Sequence, residues 1–280
     1  MIGMRALYRH RMAVYVGAFF ALVLGIVLQR VDDGLRTVAL TLNFSGLLTL
    51  FGCLLVAVPM AKRIPAREPI LVTSPVTGRW LALNSPATKV PSHGIRLYGQ
   101  AHAIDLAYEP EGAARPQFGD GPAMRPAADY PAFGQPVRAM VAGTVVRVDD
   151  RQRDHRARSS LAAVLYMYAE GAIKEFGGPR RVVGNHIVID AGAGVFALVA
   201  HLQQGSAVVE VGDTVAAGQI IGHCGNSGNS SEPHVHAQLM DRASTWTGQG
   251  LPLVFADVQI GEGPEFSHGV PENGEHMSSV

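Results

Sequence analysis

The chain reads as an all-β protein, an antiparallel sandwich or barrel with one inserted helix, preceded by a two-helix transmembrane hairpin. Three observations predict this. The stretches between residues 64 and 260 are short, numerous and punctuated by glycine, without the repeating strand–helix units of a doubly wound sheet. One segment, 151–182, instead spaces its apolar residues Leu161, Leu165, Tyr168 and Ile173 as a helix does. Two uncharged runs, 12–28 and 37–61, stand ahead of everything else.

The 280 residues suffice for a membrane anchor and one domain with a sizeable core. Formal net charge is zero, so nothing in the composition suggests a polyanion-binding surface, and no nucleic-acid partner is expected. Charged residues make up only 16%, which the two apolar runs explain. Cys53 lies in an apolar run and Cys224 in a β loop, so no disulfide framework is expected.

Taken in order, residues 1–63 read as the anchor, with spans at 12–28 and 37–61 joined by the loop 29–36. No small-x-small cleavage site follows the first run, which argues against a signal peptide. Counting Lys and Arg near the spans places both outer ends in the cytoplasm. Residues 64–92 read as a Pro- and Ser-rich linker ending in a first strand around Gly78 to Leu83. Residues 93–260 form the β domain, within which 109–135 is a loop over one face and 136–150 a turn and strand. The segment 151–182 is an inserted helix packed on the side of the barrel. Residues 246–255 supply a closing strand, and 261–280 a polar, disordered tail.

The most informative stretch is 225–239. His234 and His236 are two apart in an alternating run, so both rings share one face with Gln238 next in line, while Val235, Ala237 and Leu239 face a core. Two such histidines can share one metal, or one can bind while the other handles protons. An isolated pair of this kind is more often two surface histidines. This pair, however, follows GNHIVID and VFALVAHL (184–202) and VEVGDTVAAGQIIG (209–222), then GNSG (225–228).

That ordered set resembles the lysostaphin/LytM-type zinc endopeptidases, which cut the peptide part of bacterial cell walls, over roughly residues 135–240. The resemblance implies a duplicated-hybrid-motif β fold, one zinc ion and peptidoglycan peptides as substrate. It also implies a membrane-held enzyme whose domain lies outside the cytoplasm, against the charge count. Asp105 matches the family's aspartate ligand and His236 its second-strand histidine ligand. His201 and His234 match the histidines that flank the reacting water. Asn185, Gly225 and Asn226 fit the loop geometry beside the site.

The chain departs from the family pattern at the third ligand, where H-x-x-x-D would need a histidine and Ala101 stands instead. In a regular strand His102 shares a face with Ile104 and points away from Asp105. His93, in a turn-like PSHG, can fold back over Asp105 and is preferred, with His102 as its substitute. His186 and His223 read as structural, and His10, His155, His268 and His276 as ordinary surface residues.

Two other functions compete. The loss at Ala101 favours a catalytically impaired domain that binds cell wall or regulates another hydrolase. The 209–222 hairpin also resembles biotinyl, lipoyl and phosphotransferase carriers, but no M-K-M-type turn occurs, and the only lysine after Lys89 is Lys174 in the helical insert. Oligomeric state is not legible.

Overall fold

A computed structural model describes residues 2–61, 67–112 and 115–280, in two compact units, 1–66 and 67–280. Parts of the expected anchor (62–63) and linker (64–66) lie outside the described residues. The first unit contains α1 (Ile2–Arg9), α2 (Arg11–Val31) and α3 (Arg36–Ala61). The Asp32 side chain accepts a hydrogen bond from Gly34 N at 2.8 Å and so caps the turn between α2 and α3. Gly25 packs on Ala39 and Asn43, and Gly46 on Ala18 and Leu22, so the two helices run antiparallel at a spacing that a Cβ would obstruct. Both are long and apolar enough to cross a membrane, with mean hydropathies of 2.2 and 1.9.

The second unit runs β1 (Ile70–Val72), β2 (Gly78–Leu83), β3 (Ile104–Tyr108), β4 (Met124–Arg125), β5 (Pro136–Arg138), β6 (Gly143–Asp149) and β7 (Ala157–Arg158). The insert follows as α4 (Leu161–Phe176) and α5 (Pro179–Val183). After it come β8 (His186–Asp190), β9 (Phe196–Ala200), β10 (Thr214–Val215), β11 (Ile220–His223), β12 (Val235–Met240), β13 (Gly250–Leu251), β14 (Leu253–Ile260), β15 (Phe266–Gly269) and β16 (His276–Ser279). The main sheet follows the hydrogen-bonded path β1-β14-β16-β2-β3-β12-β9-β8-β6-β10. Domain β content is therefore as expected, with one exception to the antiparallel rule. β1 runs parallel to the first half of β14, because that eight-residue strand gives its two halves different partners.

Alternation builds the core. Val235, Ala237 and Leu239 of β12 join Ile104, Leu106, Ile187, Ile189, Trp80 and Phe255 on the inner face. On the outer face Val188, Leu198, Ala200 and Met240 form a smaller cluster against which Val183 of α5 packs. His236 and Gln238 share that outer face with Met240, and Asp105 stands directly across from His236 in the β3–β12 register.

Two expectations are corrected. The tail is not disordered: β15 pairs with β14, and β16 lies between β14 and β2 with Met277 opposite Trp80 and fully buried. Four residues reading His-Met-Ser-Ser carry too little apolar signal to announce a strand, yet one buried methionine fixes the register. The helical stripe of the insert also faces the other way. Ser160 caps α4 as a helix start should, its Oγ accepting from Ala163 N. But α4 turns Ala163 and Gly171 inward, and Leu161, Leu165, Tyr168 and Ile173 lie exposed. At Gly171 the helix lies against the Asn229 side chain, which a Cβ would approach to 3.0 Å, so a small residue suits that side.

Candidate metal centre

The outer face of β3 and β12 carries a buried group of four imidazoles around one carboxylate. His93 Nε2 lies 3.0 Å from Asp105 Oδ2, and His236 Nδ1 lies 2.8 Å from Asp105 Oδ1. The ligand-type atoms of His93, Asp105 and His236 all fall within 4.8 Å of one another. His234 Nε2 is 3.6 Å from Asp105 Oδ1, and the His201 ring centroid is 4.8 Å from that of His234 and 5.8 Å from that of His236.

Following the protons shows what this arrangement requires. The Ser92 hydroxyl donates to Gln100 O at 3.1 Å, so its oxygen accepts from His93 Nδ1 at 3.0 Å. The Gln238 amide nitrogen donates to Tyr98 O at 2.9 Å, so its oxygen faces His236 Nε2 at 2.9 Å and must accept from it. Each ring thus has its one neutral-form proton on the far nitrogen. The near nitrogens of His93 and His236 then point lone pairs at the two oxygens of an ionised carboxylate. Facing acceptors at 2.8 and 3.0 Å repel unless a cation lies among them or both rings take a second proton. Two neutral imidazoles and a carboxylate converging from separate segments form a donor set that fits a divalent metal such as zinc. Asn84 Nδ2 donates to Asp105 Oδ2 at 2.8 Å and helps hold the carboxylate in this orientation.

The other two histidines are anchored in the same manner. His234 Nδ1 donates to Glu232 O at 2.7 Å, and His201 Nδ1 donates to Ser227 O at 2.9 Å, leaving each Nε2 turned toward the cluster. His201 needs a break in the strand to get there. Ala200 pairs with His236 and so shares its face; the next residue would point inward if β9 continued. A positive φ of 61° at His201 breaks the alternation and returns its ring to the outer face. Ser227 O reaches the ring because Gly184 and Gly228, both at positive φ, let two loops touch backbone to backbone. A Cβ on Gly228 would lie 2.5 Å from Gly184 N.

Electrostatics follow from burial and these contacts. With no cation among them and the rings doubly protonated, burial alone would still raise the Asp105 carboxyl; the charges of His93 and His234, with hydrogen bonds from His234 and His236, outweigh it and hold the group well below the ordinary carboxylate range. Burial, reinforced by His234 and His236, keeps His201 well below the usual imidazole range. At His234 burial works toward the neutral form, but Asp105 and Glu232 overcome it and raise the pKa.

The structure thus brings His93, Asp105, His201, His234 and His236 together. It does not bring His102 there: that residue ends the 3-10 segment 97–102, and the hydrogen-bond partners of the Asp105 carboxylate among the described residues are Asn84, His93 and His236. Asn185 ties three segments, donating to Gln152 O and Leu202 O and accepting from Gln152 N. Asn226 N donates to Asp154 Oδ1, and its amide to His155 O. Gly225 packs on Gln203, where a Cβ would lie 2.3 Å from backbone. Sequence reading missed Asn84, Ser92 and Tyr98, and gave Gln238 no role although its spacing from His236 was visible. Tyr98 acts through a carbonyl oxygen, for which a sequence carries no signal.

Comparison with known proteins now adds a family. Residues 160–247 match the model of peptidase family M23. No curated protein matches the sequence. Among solved structures, the catalytic domain of the antimicrobial peptidase lysostaphin from Staphylococcus simulans is 23% identical over 56% of this chain and 80% of that one, with a TM-score of 0.31. A mutant catalytic domain of the prophage-encoded M23 protein EnpA from Enterococcus faecalis is 22% identical over 67% and 92%, TM-score 0.32. A zinc-containing peptidase from Vibrio cholerae is 19% identical over 68% and 40%, TM-score 0.31. The family match over residues 160–247 takes in His201, His234 and His236, and it agrees with the lysostaphin/LytM resemblance of the motifs.

Proposed function

We propose that the chain is a zinc-dependent endopeptidase that hydrolyses peptide bonds in bacterial peptidoglycan and is held at a membrane by α2 and α3, with its β domain outside the cytoplasm. The observation that carries this reading is the pair of lone-pair nitrogens, His93 Nε2 and His236 Nδ1, aimed at the two oxygens of Asp105. These three residues would hold the ion. A zinc ion bound there supplies Lewis acidity to a water and a scissile carbonyl.

The remaining steps belong to the chain's own groups. His201 and His234 present their Nε2 atoms to the same space, each fixed by a backbone carbonyl on the opposite nitrogen. Between them they offer an acceptor for a proton leaving water and a donor for a leaving amine, without a covalent intermediate. Their shared burial excludes bulk water that would otherwise compete for those positions.

An impaired wall-binding domain is the alternative. Its support was the vacancy at Ala101, and His93 offers a donor that answers it. The test is zinc content and digestion of purified peptidoglycan by the full chain. One equivalent of zinc with release of soluble peptide fragments is expected. Zinc binding with intact wall, or no metal bound at all, would move the reading to the alternative.

A further inference from the structure

The two imidazole ligands hand their far-side protons to one short piece of backbone. His236 Nε2 donates to Gln238 Oε1, and the Gln238 amide nitrogen donates to Tyr98 O at 2.9 Å. His93 Nδ1 donates to Ser92 Oγ, whose hydroxyl donates to Gln100 O at 3.1 Å. Both chains end in the 3-10 segment Leu97–His102, on carbonyls two residues apart. Where that segment sits therefore sets where both rings point.

The segment does not hold this place by backbone preference. Tyr98 has a φ of 59° and Gly99 one of 75°, two successive left-handed residues, the first of them with a bulky side chain. A tyrosine stays in that region only where its surroundings over-determine it. Gly99 lies against β12, where a Cβ would come within 2.7 Å of the Met240 side chain, so the glycine permits the approach without fixing it. Among the described residues, the side chains of 97–102 make one hydrogen bond, from the Tyr98 hydroxyl to Glu175 Oε1 at 3.1 Å. Tyr98 is buried, and burial together with the Glu175 charge raises the hydroxyl pKa, so it remains a donor at neutral pH.

Glu175 belongs to the last turn of α4. Its neighbour Lys174 reaches another support of the centre: Lys174 Nζ donates to Gly228 O at 2.6 Å, one residue beyond the Ser227 carbonyl that holds His201. One helical turn thus grips two supports of the site that are distant in sequence. We propose that Tyr98 and Glu175 are positioning residues for the metal ligands His93 and His236, and that the last turn of α4 braces the centre through them. The inference rests on the metal-centre reading above and extends it to an element outside the ligand set. A hydrogen bond from a buried phenol to a carboxylate is strong and directional, so it fixes the ring and, through the ring, the carbonyl that orients Gln238. The Tyr98 hydroxyl is not itself a ligand, so its loss should change affinity and ligand geometry while the ligand set stays complete.

The experiment measures zinc affinity of the full chain by chelator competition, and ligand geometry by the visible absorption of the cobalt(II)-loaded chain. Tyr98→Phe should lower zinc affinity roughly 3–10-fold, less than the roughly 10–100-fold usual for a direct partner of a ligand, and alter the cobalt band with one metal still bound per chain. Glu175→Leu should match it, and the double substitution should be no worse than either alone. Glu175→Gln keeps an oxygen that can accept, so its affinity should stay within about twofold of the parent's. Glu175 is exposed, so its substitution does not endanger the fold, and thermal unfolding of each variant reads stability separately. Parent-like affinity and cobalt band in Tyr98→Phe and Glu175→Leu overturn the inference while leaving the metal centre standing, even where stability falls. So does an equal loss in Glu175→Gln and Glu175→Leu, which would assign the effect to charge and not to the hydrogen bond. A parent chain that binds no zinc removes the metal centre and this inference with it.

Discussion

β12 and α4 are both rich in apolar residues and use them in opposite ways. β12 lies mid-sheet between β3 and β9, and all six of its side chains are buried. α4 sits at the periphery, sends alanine and glycine inward, and leaves its leucines and tyrosines outside. The comparison teaches that apolar spacing identifies an element without saying what its apolar side meets. It also shows where chemistry is legible. A polar residue in a doubly covered strand must have each donor and acceptor answered, so His236 and Gln238 reveal their partners in a way an exposed residue cannot.

Substitutions break or sharpen this contrast. His236→Ala should abolish stoichiometric metal binding and peptide hydrolysis together, read by metal analysis and wall digestion; retention of the ion would move the centre elsewhere. His234→Ala should keep the ion and lose turnover by a factor of roughly 10²–10⁴, the usual worth of a positioned proton-transfer group. If it lost the ion and His236→Ala kept it, the two roles would be exchanged. Leu239→Ala, on the core side of β12, should cost about 2–5 kcal/mol in denaturant unfolding, since that side chain has no exposure at all.

Gln238→Leu tests the other side of the same strand. With no oxygen to accept from His236 Nε2, the ring is free to place its proton on Nδ1. Zinc affinity, measured by chelator competition, should fall by roughly 10–100-fold. An unchanged affinity would show that Gln238 only fills space. Leu165→Ala on α4 sits at the bottom of the scale, within about 0.5 kcal/mol in the same unfolding measurement, because the side chain is exposed. A cost like that of Leu239 would mean that a covering partner had been present.

The sheet and the site were legible in different ways. Alternation in the 234–239 run placed His236 outward and Leu239 inward, whereas the parity argument that preferred His93 to His102 assumed a strand through His102, which instead ends a 3-10 segment ahead of β3. His201 was legible only through family resemblance, since its positive φ defeats the parity rule that would turn it inward. The hydrogen bonds that set each tautomer run through the carbonyls of Gln100, Tyr98, Ser227 and Glu232, and backbone oxygens have no letter in a sequence. β16 escaped notice because a single buried methionine cannot display a period.

That strand has a consequence for how the molecule is made. β16 separates β14 from β2 in the sheet, yet it leaves the ribosome after both. Until it arrives, Trp80 has no Met277 opposite it, and the facing edges of β2 and β14 are unpaired templates for other chains. The main sheet therefore closes only after residue 279 has been translated, and the nascent protein depends on whatever shields those edges meanwhile.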